Sequence, residues 1–106
     1  MAPSLVPPEL LDPIVAHFKP QRVILFGSHA RGEAGRDSDI DLLVIVDDDT
    51  PLQALSAKSV YQARSGYHGA TDILPCRASV LASRARAKGS FADLVLREGV
   101  TVYERS

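Results

Sequence analysis

Hydrophobic and polar residues alternate along this chain in blocks that predict strands and helices in turn. Two aliphatic runs, at residues 23–26 and 40–46, are the clearest predicted strands, because β-branched side chains are enriched in both. The second run is apolar at nearly every position, which indicates a strand that is covered on both faces. Between the two runs, the sequence predicts a short helical turn at Ser28–Arg31 and a loop over residues 33–38.

Helices are predicted on both sides of these strands. Asp12 and Pro13 have the order of a helix start, an N-cap followed by proline in the first turn, leading into a helix over 14–18. A short turn predicted over 8–11 could join this helix through a kink, because proline is unfavourable in a helix interior. Residues 51–64 are the longest helical candidate, because they begin with a proline and continue with good helix formers.

The rest of the chain supplies further short elements. They are a strand over 70–74 that Pro75 closes, a helix over 79–86, a helix over 91–97 that Ser90 caps, and a last strand over 100–103. Helices thus alternate with strands, which predicts an α/β fold class with a small mixed β-sheet covered by helices.

The composition fits one globular domain spanning residues 1–106. The chain is 45% hydrophobic and 24% charged, which is close to the average for folded proteins. Residues 1–8 contain three prolines and are expected to form a loose N-terminal tail. A formal net charge of −1 argues against a protein that coats DNA or RNA, so we expect no direct nucleic-acid binding.

The sequence also bears on the compartment. The single cysteine, Cys76, excludes an internal disulfide and a cysteine-rich zinc site, and it is interpreted as a small buried residue. No apolar run reaches the roughly 18 residues that a membrane span requires, and the start of the chain lacks the pattern of a signal peptide. We therefore expect a cytoplasmic protein that does not bind membranes.

Two carboxylates interrupt the start of the second aliphatic run. Asp39 and Asp41 face the same side of a strand, because alternate residues share a face. At about 4 Å, two such charges repel by roughly 4 kcal/mol at an effective dielectric constant near 20. A raised pKa or a bound cation relieves this repulsion, and Mg²⁺ prefers such oxygen ligands. A lone Asp-x-Asp pair does not decide between these alternatives.

Small residues end the first aliphatic run. Gly27 has no Cβ, so a phosphate can approach the main chain, and Ser28 offers a hydroxyl and backbone N–H groups. Arg31 could reach a phosphate from the same turn or brace the loop against a carboxylate. An ordinary strand-to-helix turn is the alternative for Gly27 and Ser28. Together with the aspartates, these residues suggest metal-dependent chemistry on a nucleoside triphosphate.

Other polar residues have simpler interpretations. Asp47–Asp49 are expected to form a solvated turn rather than a calcium loop. Arg84, Arg86 and Lys88 are expected to face solvent, although an anionic partner stays open as an alternative. No ligand role is assigned to the three histidines, His17, His29 and His68.

The order of these motifs resembles that of a known family. Gly27-Ser-His-Ala-Arg31-Gly32, followed by Ser38-Asp39-Ile-Asp41-Leu-Leu-Val, is similar to the signature of the DNA polymerase beta-like nucleotidyltransferases. More narrowly, the chain resembles the minimal nucleotidyltransferase (MNT) proteins of prokaryotes. The resemblance extends to the predicted strand with Asp72 and to the end of the chain, so it covers nearly everything after about residue 10.

The resemblance implies a nucleotidyltransferase fold and a role for each motif residue. Gly27 and Ser28 would hold the triphosphate, and Asp39 and Asp41 would ligate Mg²⁺. Asp72 matches the third acid of the family, which shares a second metal ion and draws the proton from the attacking hydroxyl. The implied reaction is transfer of AMP from ATP to a hydroxyl, with release of pyrophosphate.

The resemblance also implies a partner. MNT proteins are encoded with HEPN-domain toxins, so the leading hypothesis is an antitoxin that adenylylates a tyrosine of such a toxin. One alternative is an antitoxin that acts by binding and occlusion without catalysis. Another is a nucleotidyltransferase for a small molecule of the aminoglycoside type. Because an added helical domain is not expected after residue 106, we expect an open site that is completed in a homo- or hetero-oligomer.

Overall fold

The computed structural model describes residues 5–35 and 38–106. Its elements are α1 (Pro8–Phe18), β1 (Arg22–Phe26), α2 (Ser28–Arg31), β2 (Ile40–Val46), a 3₁₀ turn (Leu52–Leu55), α3 (Ala57–Arg64), β3 (Thr71–Arg77), α4 (Ala78–Arg84), α5 (Phe91–Glu98) and β4 (Val100–Glu104). The strands form one sheet in the order β3-β2-β1-β4. β1 is antiparallel to both of its neighbours, and β2 and β3 are parallel. The predicted α/β class with a mixed sheet is therefore confirmed.

Helices cover both faces of the sheet. Every residue from Leu42 to Val46 is buried, as the uninterrupted apolar run in β2 predicts. One face packs against α1 and α3, and the other packs against α4 and α5. Successive strand residues point to opposite faces, so β2 contributes to both halves of the core. Within residues 5–35 and 38–106, none of the helices has the length and hydrophobicity that a membrane span requires.

The first helix begins earlier than predicted. The sequence analysis placed its start at Asp12 and left open a kinked join to the turn over 8–11, whereas α1 is one helix that begins at Pro8 and continues through Pro13. Three side chains four residues apart, Leu10, Ile14 and Phe18, are buried along one side and hold the helix on the sheet. Pro13 and Glu9, four positions before it, are both exposed, so water can replace the hydrogen bond that the proline cannot donate.

The prediction of a loose tail over residues 1–8 is wrong for its last residues. Val6 is fully buried in the core against α1, and Pro8 is the first residue of that helix. Burial of an apolar side chain outweighs the flexibility that the nearby prolines suggest. Residues 1–4, like residues 36 and 37 of the predicted loop, lie outside the described residues.

The helix predicted over residues 51–64 is divided. A 3₁₀ turn occupies Leu52–Leu55, and α3 begins only after Ser56. The hydroxyl of Ser56 accepts the backbone N–H of Ser59 at 3.2 Å, so Ser56 is an N-cap that starts a new helix. His17 on α1, for which the sequence indicated no partner, hydrogen-bonds the buried Ser59 hydroxyl at 2.7 Å. This contact joins α3 to α1.

The third strand passes through the proline that was expected to end it. β3 extends from Thr71 to Arg77 and includes Pro75. Because β3 is an edge strand, a missing N–H need not interrupt pairing within the sheet. The C-terminal elements match the prediction closely, and the Ser90 hydroxyl caps α5 by accepting the N–H of Asp93 at 3.1 Å.

Candidate active site

Two aspartates are paired at one end of the parallel strand pair, and a third immediately precedes β2. In the register of β2 with β3, Asp41 lies directly beside Asp72. The hydroxyl of Thr71 donates to the carbonyl of Ile40 at 2.7 Å, which fixes this register next to the acids. Asp39 precedes the first residue of β2 and is two residues from Asp41. Asp41 and Asp72, which are 31 positions apart in sequence, are thus neighbours in the sheet.

The electrostatics of Asp41 reflect this grouping. Burial of its carboxyl group raises its pKa above the ordinary value, and the charges of Asp72 and Asp39 raise it further. His29 and Arg31 oppose the shift without cancelling it. The site therefore concentrates negative charge that a bound cation would relieve.

The donor set fits a hard divalent cation, but the carboxylates are not yet arranged around one point. Carboxylate oxygens are the ligands that Mg²⁺ prefers. In the part of the chain that the structure describes, no group of three His, Cys, Asp or Glu side chains is close enough to hold an ion. Asp39 and Asp72 are both exposed, so their side chains are free of the packing that would prevent a small inward movement.

Gly27 lies against the central carboxylate. Its φ of +77° and ψ of −154° belong to a region that is essentially restricted to glycine. A Cβ at this position would overlap the Oδ2 atom of Asp41, so only glycine allows the two groups to approach. The Gly27 carbonyl also accepts the N–H groups of Ala30 at 3.1 Å and Arg31 at 3.2 Å, which starts α2. The predicted turn at Ser28–Arg31 is confirmed.

Ser28 and Arg31 follow Gly27 on α2. Within the described ranges, the hydroxyl of Ser28 makes no hydrogen bond to protein, so it is available to a ligand. Arg31 Nε donates to Glu33 Oε2 at 3.1 Å, and both side chains are exposed. Of the two roles left open for Arg31, bracing is seen, but its partner is Glu33 rather than an aspartate of the site.

His29 is a site residue to which sequence reasoning assigned no role. Its Nε2 donates to the carbonyl of Ser38 at 3.1 Å, which ties α2 to the segment that leads into β2. Its charge when protonated also lowers the pKa of Asp41. The signal in the sequence was its position two residues after Gly27, on the turn that carries the other candidate ligands.

Gly27 also borders a cleft that is lined by aromatic side chains. It has a volume of about 280 Å³ and lies between α2 and α5. Phe26, which is opposite Asp41 in the strand register, meets Phe91 edge-on with ring centroids 5.3 Å apart. Phe91 and Leu94 on α5 are 54% and 39% exposed, although both are large apolar side chains. The site therefore has an uncovered apolar border.

Known proteins with similar sequences are nucleotidyltransferases. The protein family described as "Nucleotidyltransferase domain" matches residues 8–80, a range that contains all six predicted site residues. A protein of Methanocaldococcus jannaschii named "putative protein adenylyltransferase" is 37% identical over 84 residues, covering 79% of this chain and 80% of that protein.

Two solved structures share the fold. One is described as a "putative nucleotidyltransferase" from Sulfolobus solfataricus, with a TM-score of 0.58 and 21% identity over 92% of this chain and 76% of the other. The second is described as a "toxin-antitoxin with AMP-PNP", with a TM-score of 0.56 and 18% identity over 95% of this chain and 76% of the other.

Proposed function

Because this chain belongs to the nucleotidyltransferase domain family, we propose that it transfers AMP from ATP to a hydroxyl group of a protein. The observation that carries the proposal is the grouping of three carboxylates beside a glycine that leaves no room for a Cβ. The relative that is 37% identical is named for adenylyl transfer to protein, which supports this class of acceptor.

Each site residue has a part in this proposal. The backbone at Gly27 and the hydroxyl of Ser28 bind phosphate oxygens of the donor. Asp39 and Asp41 would hold Mg²⁺, which would supply neutralisation of the charge that develops on the phosphates. Asp72 accepts the proton of the attacking hydroxyl, whose oxygen forms a bond to the α-phosphorus while the bond to the leaving pyrophosphate breaks.

The acceptor that we propose is a tyrosine of a HEPN-domain toxin, with this chain as the antitoxin. The resemblance to MNT proteins supports this choice. The fold shared with a structure described as a toxin-antitoxin with AMP-PNP is consistent with it. A protein acceptor also suits a site whose apolar border, at Phe91 and Leu94, is exposed.

AMP transfer is expected when the purified chain is mixed with the proposed HEPN toxin, Mg²⁺ and ATP labelled at the α-phosphate. Label should appear on one tyrosine of the toxin, as located by mass spectrometry. Asp72→Asn should lower the rate by roughly a hundredfold or more while the affinity for ATP persists, because it removes the proton acceptor and leaves Gly27, Ser28 and the other two aspartates in place. Asp49→Asn, in an exposed turn, is the matched control and should transfer normally. Absence of label on the toxin would contradict the proposal.

Binding without catalysis is the second candidate function. It is favoured by large apolar side chains that are exposed on this small domain, namely Leu5, Leu52, Tyr61, Phe91 and Leu94. The double variant Asp39→Ala/Asp41→Ala separates the two functions in cells that express the toxin. If this variant still protects the cells at equal abundance, occlusion is sufficient, whereas loss of protection assigns neutralisation to AMP transfer.

Arg31 is expected to bind donor phosphate after leaving Glu33. Arg31→Ala should weaken ATP binding by about tenfold, which corresponds to one charge-assisted hydrogen bond. Its melting temperature should hardly change, since an exposed ion pair of this kind stabilises by about 1 kcal/mol at most. Glu33→Gln removes the same ion pair but keeps the arginine, so it should bind ATP at least as well as the wild type. Calorimetric titration measures both affinities, and equal losses in the two variants would refute a phosphate contact.

A further inference from the structure

A second groove lies on the same face of the sheet as the three acids. It has a volume of about 750 Å³. Leu43 and Leu74 form its floor beside Pro75, and side chains of α4 and α5, including Leu81 and Phe91, form its walls. The 280 Å³ cleft beside Gly27 is separate from it, although Phe91 borders both.

The groove begins where the acids end. Leu43 and Leu74 are paired in the strand register, as Asp41 and Asp72 are, and each leucine is two residues after its aspartate. Because alternate residues of a strand share a face, the leucine pair lies about 7 Å from the acid pair on that face. The groove therefore adjoins the carboxylates on the same face of the sheet.

We propose that this groove binds the polypeptide segment that carries the acceptor hydroxyl, and that it takes an apolar side chain two residues from the hydroxyl residue. This inference rests on the proposed function. In an extended segment, side chains two residues apart are also about 7 Å apart on one side. A hydroxyl held at Asp72 thus places the next side chain on the same side over Leu74.

The charge around the groove adds a second requirement. Arg84 lines the groove near Cys76, which lies two residues beyond Leu74 and so farther from the acids, and the exposed Arg86 and Lys88 follow in the next turn. If the segment carries an acidic residue beyond its apolar residue, that acid is attracted to this basic border. The same acid placed beside the hydroxyl residue would be repelled by the carboxylates of the site. The segment that fits is therefore apolar and then acidic as it leads away from the hydroxyl.

The position of the groove favours the acceptor over the donor. The groove lies under β3 at the outer edge of the sheet, whereas Gly27 follows β1 on the far side of β2. A nucleotide held at Gly27 would have to pass the three acids to reach Leu74. An acceptor that approaches Asp72 from the β3 edge meets the groove directly.

Peptide binding tests this inference without relying on catalysis. Two fluorescent peptides each carry one central tyrosine with Glu four residues away on both sides, and they differ only in having Leu or Ser two residues from the tyrosine on both sides. Fluorescence anisotropy with the wild-type chain should show the leucine peptide binding at least about tenfold more tightly. Replacing both Glu residues of the leucine peptide with Lys should weaken its binding about threefold or more.

A matched pair of variants places the binding in the groove. Ala87→Trp fills the groove at an exposed position and should abolish the preference for the leucine peptide. Ala82→Trp makes the same change at an exposed position of α4 outside the groove and should keep it. Neither residue belongs to the proposed catalytic machinery, so both variants should bind AMP-PNP as the wild type does.

The outcomes separate the groove from the proposed function. Equal binding of the leucine and serine peptides, or a preference that survives Ala87→Trp, would overturn the groove even if AMP is transferred to tyrosine. Selective binding that Ala87→Trp removes would support the groove, and failure of that bound peptide to receive AMP would count against the proposed function instead. Loss of AMP-PNP affinity in Ala87→Trp with unchanged peptide affinity would assign the groove to the donor and overturn the inference.

Discussion

Asp41→Asn is expected to lower AMP transfer by roughly a thousandfold and at the same time to stabilise the folded protein at neutral pH. The loss of transfer follows from removing the charge of the central carboxylate of the proposed site. The gain in stability follows from the raised pKa of Asp41, because burial and the charges of Asp72 and Asp39 disfavour its ionised form in the folded state. Asparagine has nearly the same shape and does not carry this charge.

The pH dependence of this effect has a definite sign. For a carboxyl group whose pKa is raised on folding, the destabilisation is absent below the unfolded value of 3.8 and fully present above the folded value. The midpoint of urea unfolding should therefore be higher for Asp41→Asn than for the wild type at pH 7. The two proteins should converge as the pH approaches 3.

Asp93→Asn is a control of opposite sign. The N–H of Gly89 donates to the Asp93 carboxylate at 2.8 Å and, with Arg97, holds its pKa below the ordinary value. The stability from this group is present above the unfolded pKa and is lost as the pH falls through the folded one. Asp93→Asn should therefore lower stability at pH 7 and keep AMP transfer. A destabilised Asp41→Asn at pH 7, or one that is fully active, would contradict the proposed site.

Gly27→Ala is expected to abolish nucleotide binding and to destabilise the fold by about 2–3 kcal/mol. The added Cβ would overlap the Asp41 carboxylate, and the backbone at φ +77° and ψ −154° is strained for alanine. To relieve the overlap, either the turn at Gly27 or the carboxylate must move, and both belong to the proposed donor site. Titration with AMP-PNP and urea unfolding measure the two effects.

Gly32→Ala separates strain from overlap. Gly32 also has a positive φ, +73°, but a Cβ there would have no atom within 4 Å. Its left-handed conformation should cost alanine about 1 kcal/mol, with little change in nucleotide affinity. Equal effects of the two substitutions on AMP-PNP binding would show that the approach of Gly27 to Asp41 is unimportant.

Local patterns predicted much of this fold. The bounds of β2 were predicted correctly, because an aliphatic run broken by acids at both ends has few other interpretations. The caps at Ser56 and Ser90 show how far helix starts can be predicted from local sequence. The helix after Ser90 was predicted from its cap, whereas Ser56 stood within a run of good helix formers and its cap was not recognised.

The errors in the fold share one physical cause. Pro13 and Pro75 were interpreted by their local preferences, which disfavour helix interiors and strands. Burial of the face of α1 and the edge position of β3 decide these cases, and both depend on contacts between distant segments. Local sequence carries little information about such contacts.

In the candidate site, too, some features were predicted from the sequence and others were not. Asp72 was assigned from a family resemblance, and the parallel register then places it beside Asp41. The link from His29 to Ser38 and the groove over Leu43 and Leu74 were not predicted, because each requires elements that are separate in sequence. The roles of Gly27, Ser28, Arg31 and the three acids remain predictions that the variants above test.

Enzymatic activity depends on the parallel register of β2 and β3, so the specific activity of a preparation reports the fraction of molecules in which these strands are correctly paired. A slip of one residue between these strands would turn the side chain of Asp72 to the opposite face, under α1 and α3. Such a molecule could keep most of its helical content while lacking one acid of the trio. Specific activity would then fall in proportion to the slipped fraction, and circular dichroism would scarcely change.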